Sequence, residues 1–563
     1  MRTLGILGLV GASLFLADAA KADVVTDWNE VAIGVNRRLA LGTNKATRSL
    51  AITHLAIFDT VESVTRKYRP YAGYVTSPGP VSLEAAVATA AHDALLWLNP
   101  TDAAEIDYQL ERSLGEIDDG DTKDNGIALG RRVAADIVFS RIADGSSDTE
   151  TYDLTIPPDP DVNVNPVPGS GLWRPTPRAP SGGTEAAGLA ALDPQWRSVA
   201  TFGILTQNQF HAVAPPALTA AAYTAAYNEV KVLGAFNAPV TNPPTNPPTG
   251  RSSEQTDTAN FWRVNTEIPF NAIARTVASR GNRSIEENAR LFALLNVALA
   301  DARIAIWESK YSYGYWRPVT AIRLGERDGN PDTVGDPTWR PLLETPAHPS
   351  YVSGHSGTGS AAAAVLAKVF GDSTQFAVSS DTLVGAVRSF TTFSAAASQN
   401  AESRLFGGIH WRSDNDRGLE LGYALGNYVA DHLFALNPPD PGGEGGAGGE
   451  PGSGGEDGGG EGGLAGAAGE ATGGSATGGR GGTSTGGTSG TAGQAGEGAT
   501  TTGGSSGSGG GGGGSGGTSS GPKPVEDDSG CDCRTTGKSG DGRALALAGL
   551  GLFLALRRRV TRR

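Results

Sequence analysis

Sulfur is nearly missing from this chain. Its only cysteines are Cys531 and Cys533, close to the C-terminal end, and its only methionine is Met1. Everything upstream is therefore without a disulfide or a thiolate metal site. Two readings of the scarce methionine stay open: codon bias in an Ala/Gly/Pro-rich sequence, and avoidance of oxidisable sulfur. A basic surface is missing too. Asp and Glu outnumber Lys and Arg by 59 to 45, for a net charge of −14, and no Lys/Arg-dense stretch precedes the last few residues. This excludes nucleic acid as a partner, because neutralising phosphates takes a basic face. Any anion bound here must sit in a local positive pocket of an acidic protein. Apolar runs long enough to span a bilayer comfortably are the third absence.

What is present divides the 563 residues unevenly. Residues 1–22 join Arg2 to an apolar segment ending in Ala20-Lys21-Ala22, the form of a secretory cleavage site, so the mature chain is expected to start at Asp23 and to be secreted. About half of the 81 glycines lie between Pro441 and Gly521, and residues 438–530 read as a flexible Gly/Ser/Thr-rich linker that buries no core. Residues 531–563 carry the two cysteines, an apolar stretch from Ala544 to Leu556, and RRRVTRR. This order resembles the C-terminal sorting tails of myxobacterial surface proteins. It implies display at the cell surface or outer membrane, with membrane contact only through the tail. The folded domain is expected over 23–437.

Within 23–437 the apolar spacing is helical. NEVAIGVNRRLAL, SLAITHLAIFDTVESV and LEAAVATAAHDALLWL repeat every three to four residues, placing Leu50, His54, Phe58 and Val61 on one face. On such faces His54 and His92 read as ordinary core-edge histidines. Residues 150–190 are Pro/Gly-rich and form a long loop, to which Trp173, Trp196 and Phe202 give packing material. The repeated Asn-Pro-Pro units of 237–250 mark a surface insertion. Residues 284–316 form the strongest helix, opened by a Ser284/Glu287 capping box. The last helix is expected over about 416–436, ending at Asn437-Pro438. With few alternating β-branched runs, the fold class is all-α, a helical bundle.

Three short blocks concentrate polar chemistry: KYSYGYWRP (310–318), HPSYVSGHS (348–356) and ESRLFGGIHWRSD (402–414). Lys310 and Arg317 are seven apart, which on one continuous helix puts both cations on one face. Buried among Tyr311, Tyr313, Tyr315 and Trp316 they would be costly without an anion. Ser353 and Gly354 precede a helix, whose free N–H groups and dipole suit an anion. Gly354 permits close backbone approach. Arg404 is a bidentate fork for an oxyanion. Four residues after His410, on the same helical face, Asp414 can take the ring N–H and leave the other nitrogen's lone pair outward. The GHSGT string also suggests a lipase-type elbow, but Thr358 stands where that turn needs glycine.

Taken in order, these blocks resemble the K-x6-R-P, P-S-G-H and S-R-x5-H-x3-D motifs of the superfamily joining vanadium-dependent haloperoxidases to type 2 phosphatidic acid phosphatases. One position departs: Val352 replaces the usual proline and removes no functional group. The resemblance implies that Lys310, Arg317, Ser353, Gly354 and Arg404 hold the oxygens of vanadate or phosphate. It implies that His410 bonds vanadium or attacks phosphorus, and that His355 is the acid/base on the apical side. His348 matches a histidine of algal bromoperoxidases and is a further candidate for contact with the ligand. The expected activity is vanadate-dependent oxidation of halide by hydrogen peroxide, with orthovanadate as cofactor and phosphate competing for its pocket. The alternatives are an acid phosphatase that cleaves a phosphomonoester through a phosphohistidine, and an inactive surface-displayed binding protein.

Overall fold

Thirteen helices and one hairpin occupy the residues that the computed structural model describes, namely 23–152, 166, 168–177, 186–281 and 283–438. The expectations for the leader, the Gly-rich stretch and the tail lie outside them. The first five helices are α1 Val24–Arg38, α2 Thr43–Thr65, α3 Leu83–Leu98, α4 Ala103–Gly115 and α5 Asp121–Ser140. Then come α6 Ala221–Leu233, α7 Ser253–Phe261, α8 Glu267–Ala278, α9 Ile285–Tyr313 and α10 Pro318–Leu324. The last three are α11 Gly354–Phe370, α12 Phe393–Phe406 and α13 Arg412–His432. An antiparallel hairpin, β1 Phe376–Ser379 with β2 Val387–Phe390, is the one departure from an all-helical reading. Its strands are four residues each, too short to stand out by alternation. No described helix is long and apolar enough to cross a membrane.

α9 is the axis of the bundle. Its 29 residues begin at the expected capping box, where Ser284 Oγ accepts from Glu287 N and the Glu287 carboxylate accepts from Ser284 N. It is buried on nearly every side, as a helix apolar all round must be, and α2, α8, α11 and α13 pack against it. Leu50, His54, Phe58 and Val61 of α2 are all fully buried on this core. His54 accepts from Asn29 within a buried amide network, while His92 bonds Asp93 and Asp107, so both are structural. The loop after α5 is tied to the axis by Asp301, whose carboxylate accepts from the backbone N–H groups of Phe202, Gly203 and Ile204 at 2.7 to 3.0 Å. Trp173, Trp196 and Phe202 are buried as expected, and most of the Asn-Pro-Pro segment is exposed.

Two features set the site. α11 and α13 approach to backbone contact: a Cβ at Gly422 would stand 2.1 Å from the Gly357 carbonyl. That approach brings the starts of both helices together, and Ser353 N donates to the Asp414 carbonyl at 2.9 Å. The second feature is Gly314, whose φ of +55° ends α9 and turns the chain back. Arg317 therefore does not continue the helix of Lys310 but caps the start of α10. The two cations still converge, by a chain reversal instead of a shared helical face. At the other end, α13 begins at Arg412 and ends at His432, about four residues earlier than its apolar pattern suggests. Asn437 is drawn away to bond the Arg66, Lys67 and Tyr68 carbonyls, so the chain leaves the helix before Pro438.

Candidate active site

A cavity of about 50 Å³ opens where α2, α9, α11, α12 and the turn before α13 meet. Gly354, His355, Arg404, His410 and His348 line it, together with Arg303, Trp307, Asn44, Asp193 and Asn265. At about 10–15 Å³ per water-sized probe this is room for an ion of a few heavy atoms. Lys310, Arg317 and Ser353 are fully buried directly behind the wall.

His410 is in the turn before α13, not on the helix as its spacing from Asp414 suggests. Asp414 sits in the first turn, and its Oδ2 faces His410 Nδ1 at 2.9 Å while accepting from Trp411 N at 3.2 Å. Ser350 Oγ donates to the same carboxylate oxygen. The acceptor on Nδ1 assigns the ring proton there and leaves Nε2 with its lone pair. Arg317 NH1 lies 3.1 Å from that Nε2 and donates to the Ile409 carbonyl at 2.6 Å, so it keeps a partner when the lone pair turns to a ligand. The remaining guanidinium nitrogens hold His348, through its carbonyl at 3.0 Å and its Nδ1 at 3.0 Å. Lys310 Nζ donates to the Pro349 and Ser350 carbonyls at 2.8 Å each, which fixes the loop leading into α11.

Ser353 is the N-cap of α11, and Gly354 is already its first residue. Ser353 Oγ accepts from Ser356 N at 3.4 Å and from Ser356 Oγ at 2.8 Å, so the hydroxyl is engaged by the helix start. His355 Nε2 donates to the Val264 carbonyl at 3.2 Å, which leaves Nδ1 as the acceptor nitrogen. Gly354 does permit a close approach, but by a side chain: a Cβ there would stand 2.7 Å from Arg303 NH1.

The electrostatics are one-sided. Burial, with the neighbouring Arg317, Lys310 and Arg404 charges, holds His410 well below its ordinary pKa, so the ring is neutral at pH 7. Burial and Arg404 do the same to His355, and burial with Lys310 and Arg317 to His348. Lys310 is itself pushed well down by burial and by Arg317. Arg317 is lowered to about 9, chiefly by burial, and remains a cation at neutral pH. Against them stands Asp414, raised by burial and partly restored by the Ser350 hydroxyl and the Lys310 charge. Cations that depress one another in a buried pocket are what an anion relieves. A neutral imidazole with a lone pair, a helix start and an excess of guanidinium groups fit an oxyanion such as vanadate or phosphate. No cluster of three His, Cys, Asp or Glu suited to a bare metal cation occurs among the described residues.

Sequence reading missed Arg303, Trp307 and Ser350. The first two precede Lys310 by seven and three residues on α9, so helical spacing alone would have placed them beside it. Arg303 lies with its guanidinium carbon 4.0 Å from the Trp307 ring centre, and Trp307 packs on His348 at 4.9 Å between ring centres. Ser350 carried no signal, since its role depends on a hydrogen bond across 64 positions.

Known proteins are similar to this chain in sequence and fold. Residues 290–437 match the family described as the VCPO second helical-bundle domain. The vanadium chloroperoxidase of Curvularia inaequalis is 29% identical over 173 residues, which are 22% of this chain and 28% of that enzyme's length. The crystal structure of the first bacterial vanadium-dependent iodoperoxidase superposes with a TM-score of 0.60 at 26% identity, covering 74% of this chain and 97% of the other. A holo-type bacterial vanadium-dependent chloroperoxidase shares the fold at a TM-score of 0.55 and 18% identity, with 74% and 98% covered. With the three motif blocks gathered on one buried cationic cavity, the chain carries the second helical-bundle domain of the vanadium chloroperoxidase family and shares the fold of bacterial vanadium-dependent haloperoxidases.

Proposed function

We propose that this protein is a vanadate-dependent haloperoxidase that oxidises halide with hydrogen peroxide. The observation that carries the reading is His410 held by Asp414 at Nδ1, with Nε2 turned toward Arg317 among buried cations. In that setting a neutral imidazole serves as the single protein ligand to an oxyanion centre. Vanadate, when bound, supplies a Lewis acid that activates peroxide toward halide. Arg404 and the Gly354 end of α11 would hold oxygens from the cavity wall, with Lys310 and Arg317 stabilising the charge from behind. His355 Nδ1 accepts a proton from incoming peroxide and can return one to the departing product. The small cavity suits a halide and a diffusible oxidised product.

The same neutral, oriented His410 could attack a phosphomonoester, and phosphate should compete for the cavity. The deciding experiment assays purified protein, with and without orthovanadate, on halide plus peroxide and separately on a phosphomonoester. Halide oxidation only with vanadate supports the haloperoxidase; phosphomonoester turnover without it, and no halide oxidation, would overturn it.

A further inference from the structure

We propose that Arg303 is a specificity-determining residue that holds the halide, a small monovalent anion, at the His355 end of the cavity. The proposal rests on the haloperoxidase reading and deepens it.

Arg303, Trp307 and Lys310 follow one another at helical spacing on α9 and present one face to the site. Only 7% of Arg303 is exposed, and it lines the cavity. Its Nε donates to Asn44 Oδ1 at 2.9 Å, and its guanidinium carbon lies 4.0 Å from the Trp307 ring centre. These two contacts set the plane of the group. NH1 then falls against Gly354 at the start of α11, next to His355.

Arg317 NH1 lies 3.1 Å from His410 Nε2, whereas Arg303 NH1 lies against Gly354, the residue before His355. The oxyanion is anchored at the His410 end. Arg303 therefore adds its charge where the second reactant must enter. A guanidinium is weakly hydrated and keeps its charge at every working pH, so it gives up little water to pair with a large halide. The cavity has room for on the order of four water-sized groups, which suits small ions and is too little for a bulky organic substrate.

The test uses the full-length protein and R303Q and R303K variants. Bromide KM is measured in the oxidation assay, orthovanadate Kd by calorimetry, and bromide binding by bromide-81 NMR line width without peroxide. R303Q should raise bromide KM by about tenfold or more and abolish most of the line broadening, while vanadate Kd stays within about threefold of wild type. R303K keeps the charge without the fork and should fall between. If R303Q does not fold, as judged by circular dichroism, the R303K comparison decides, and a wild-type line width there sinks the proposal. A raised vanadate Kd with unchanged bromide KM would assign Arg303 to the oxyanion cradle and overturn it. Failure of the parent reading is separate: wild-type protein would then oxidise no halide with vanadate, yet the bromide line width would still report whether Arg303 holds the ion.

Discussion

Asp414 holds Nδ1 of His410 at 2.9 Å and so decides which ring nitrogen keeps its lone pair. The carboxylate has further donors in Ser350 Oγ and Trp411 N, which lock its own orientation. Asp414→Asn presents either a carbonyl or an NH₂ to Nδ1, and the NH₂ orientation would move the proton to Nε2. Vanadate affinity should fall by about 10- to 100-fold, the range for an outer partner of a ligating histidine. Calorimetry on the folded variant reads this directly, and an unchanged Kd would mean the bond is only structural.

Phosphate gives a second prediction. The cavity offers a tetrahedral anion the same guanidinium groups and helix start whether its centre is vanadium or phosphorus. Added phosphate should raise the apparent vanadate concentration needed for half-maximal activity, leaving the maximal rate unchanged. Activity indifferent to excess phosphate would place the reactive centre outside this cavity.

The helix contact that assembles the site is testable apart from chemistry. At Gly422 a Cβ would stand 2.1 Å from both the Gly357 carbonyl and Ser360 Oγ, in a region with no room to yield. Gly422→Val should destabilise the domain by about 3 kcal/mol, as overpacking does, and lower the urea midpoint. Gly115→Ala is the control, because nothing lies within 4 Å of a Cβ there. Equal midpoints for the two variants would deny the α11–α13 contact its role.

Much of this was legible from residues alone, and the reasons are physical. The face of α2 through Leu50 and Val61, the capping box at Ser284 and the helix that follows Ser353 are local, so spacing reveals them. The convergence of Lys310 with Arg317 was read correctly for a wrong reason, because Gly314 in the left-handed region replaces one helix by two. Arg303 was visible as an α9 residue, but its place in the site depends on Asn44, 259 positions away, meeting it across the bundle. The hairpin at 376–390 escaped because four-residue strands are fixed by packing of Phe376 and Phe390 on each other and on the core.

Glu267 predicts a pH dependence of stability. It is fully buried, and desolvation raises its pKa from 4.5 to about 7, with the Arg303 charge opposing. A carboxyl whose folded pKa exceeds its unfolded value contributes stability that is present below about 4.5 and lost as pH rises through about 7. The loss is of order 3 kcal/mol at 1.36 kcal/mol per pKa unit. Glu267→Gln removes this ionisation. Between pH 5 and 8 the variant should lose less stability than wild type in urea titrations; identical pH profiles would show that Glu267 does not ionise in the folded protein.

The sharpest contrast lies between His410 and Lys310. His410→Ala removes the one lone pair offered to the oxyanion centre but leaves Lys310, Arg317 and Arg404 in place. Vanadate should then bind weakly through charge, while halide oxidation falls by on the order of 10³-fold or more. Added imidazole, small enough for the vacated volume, should restore part of it. Lys310→Ala leaves the lone pair and removes a charge, together with the bonds that hold the Pro349 and Ser350 carbonyls. Turnover should fall by about 10²-fold with vanadate still bound through His410, and imidazole should do nothing. A surface that merely collects anions would respond alike to both substitutions and to neither rescue. Near-native oxidation by His410→Ala with vanadate present would show that His410 is not the ligand, and the reaction would then have to be built on a different group.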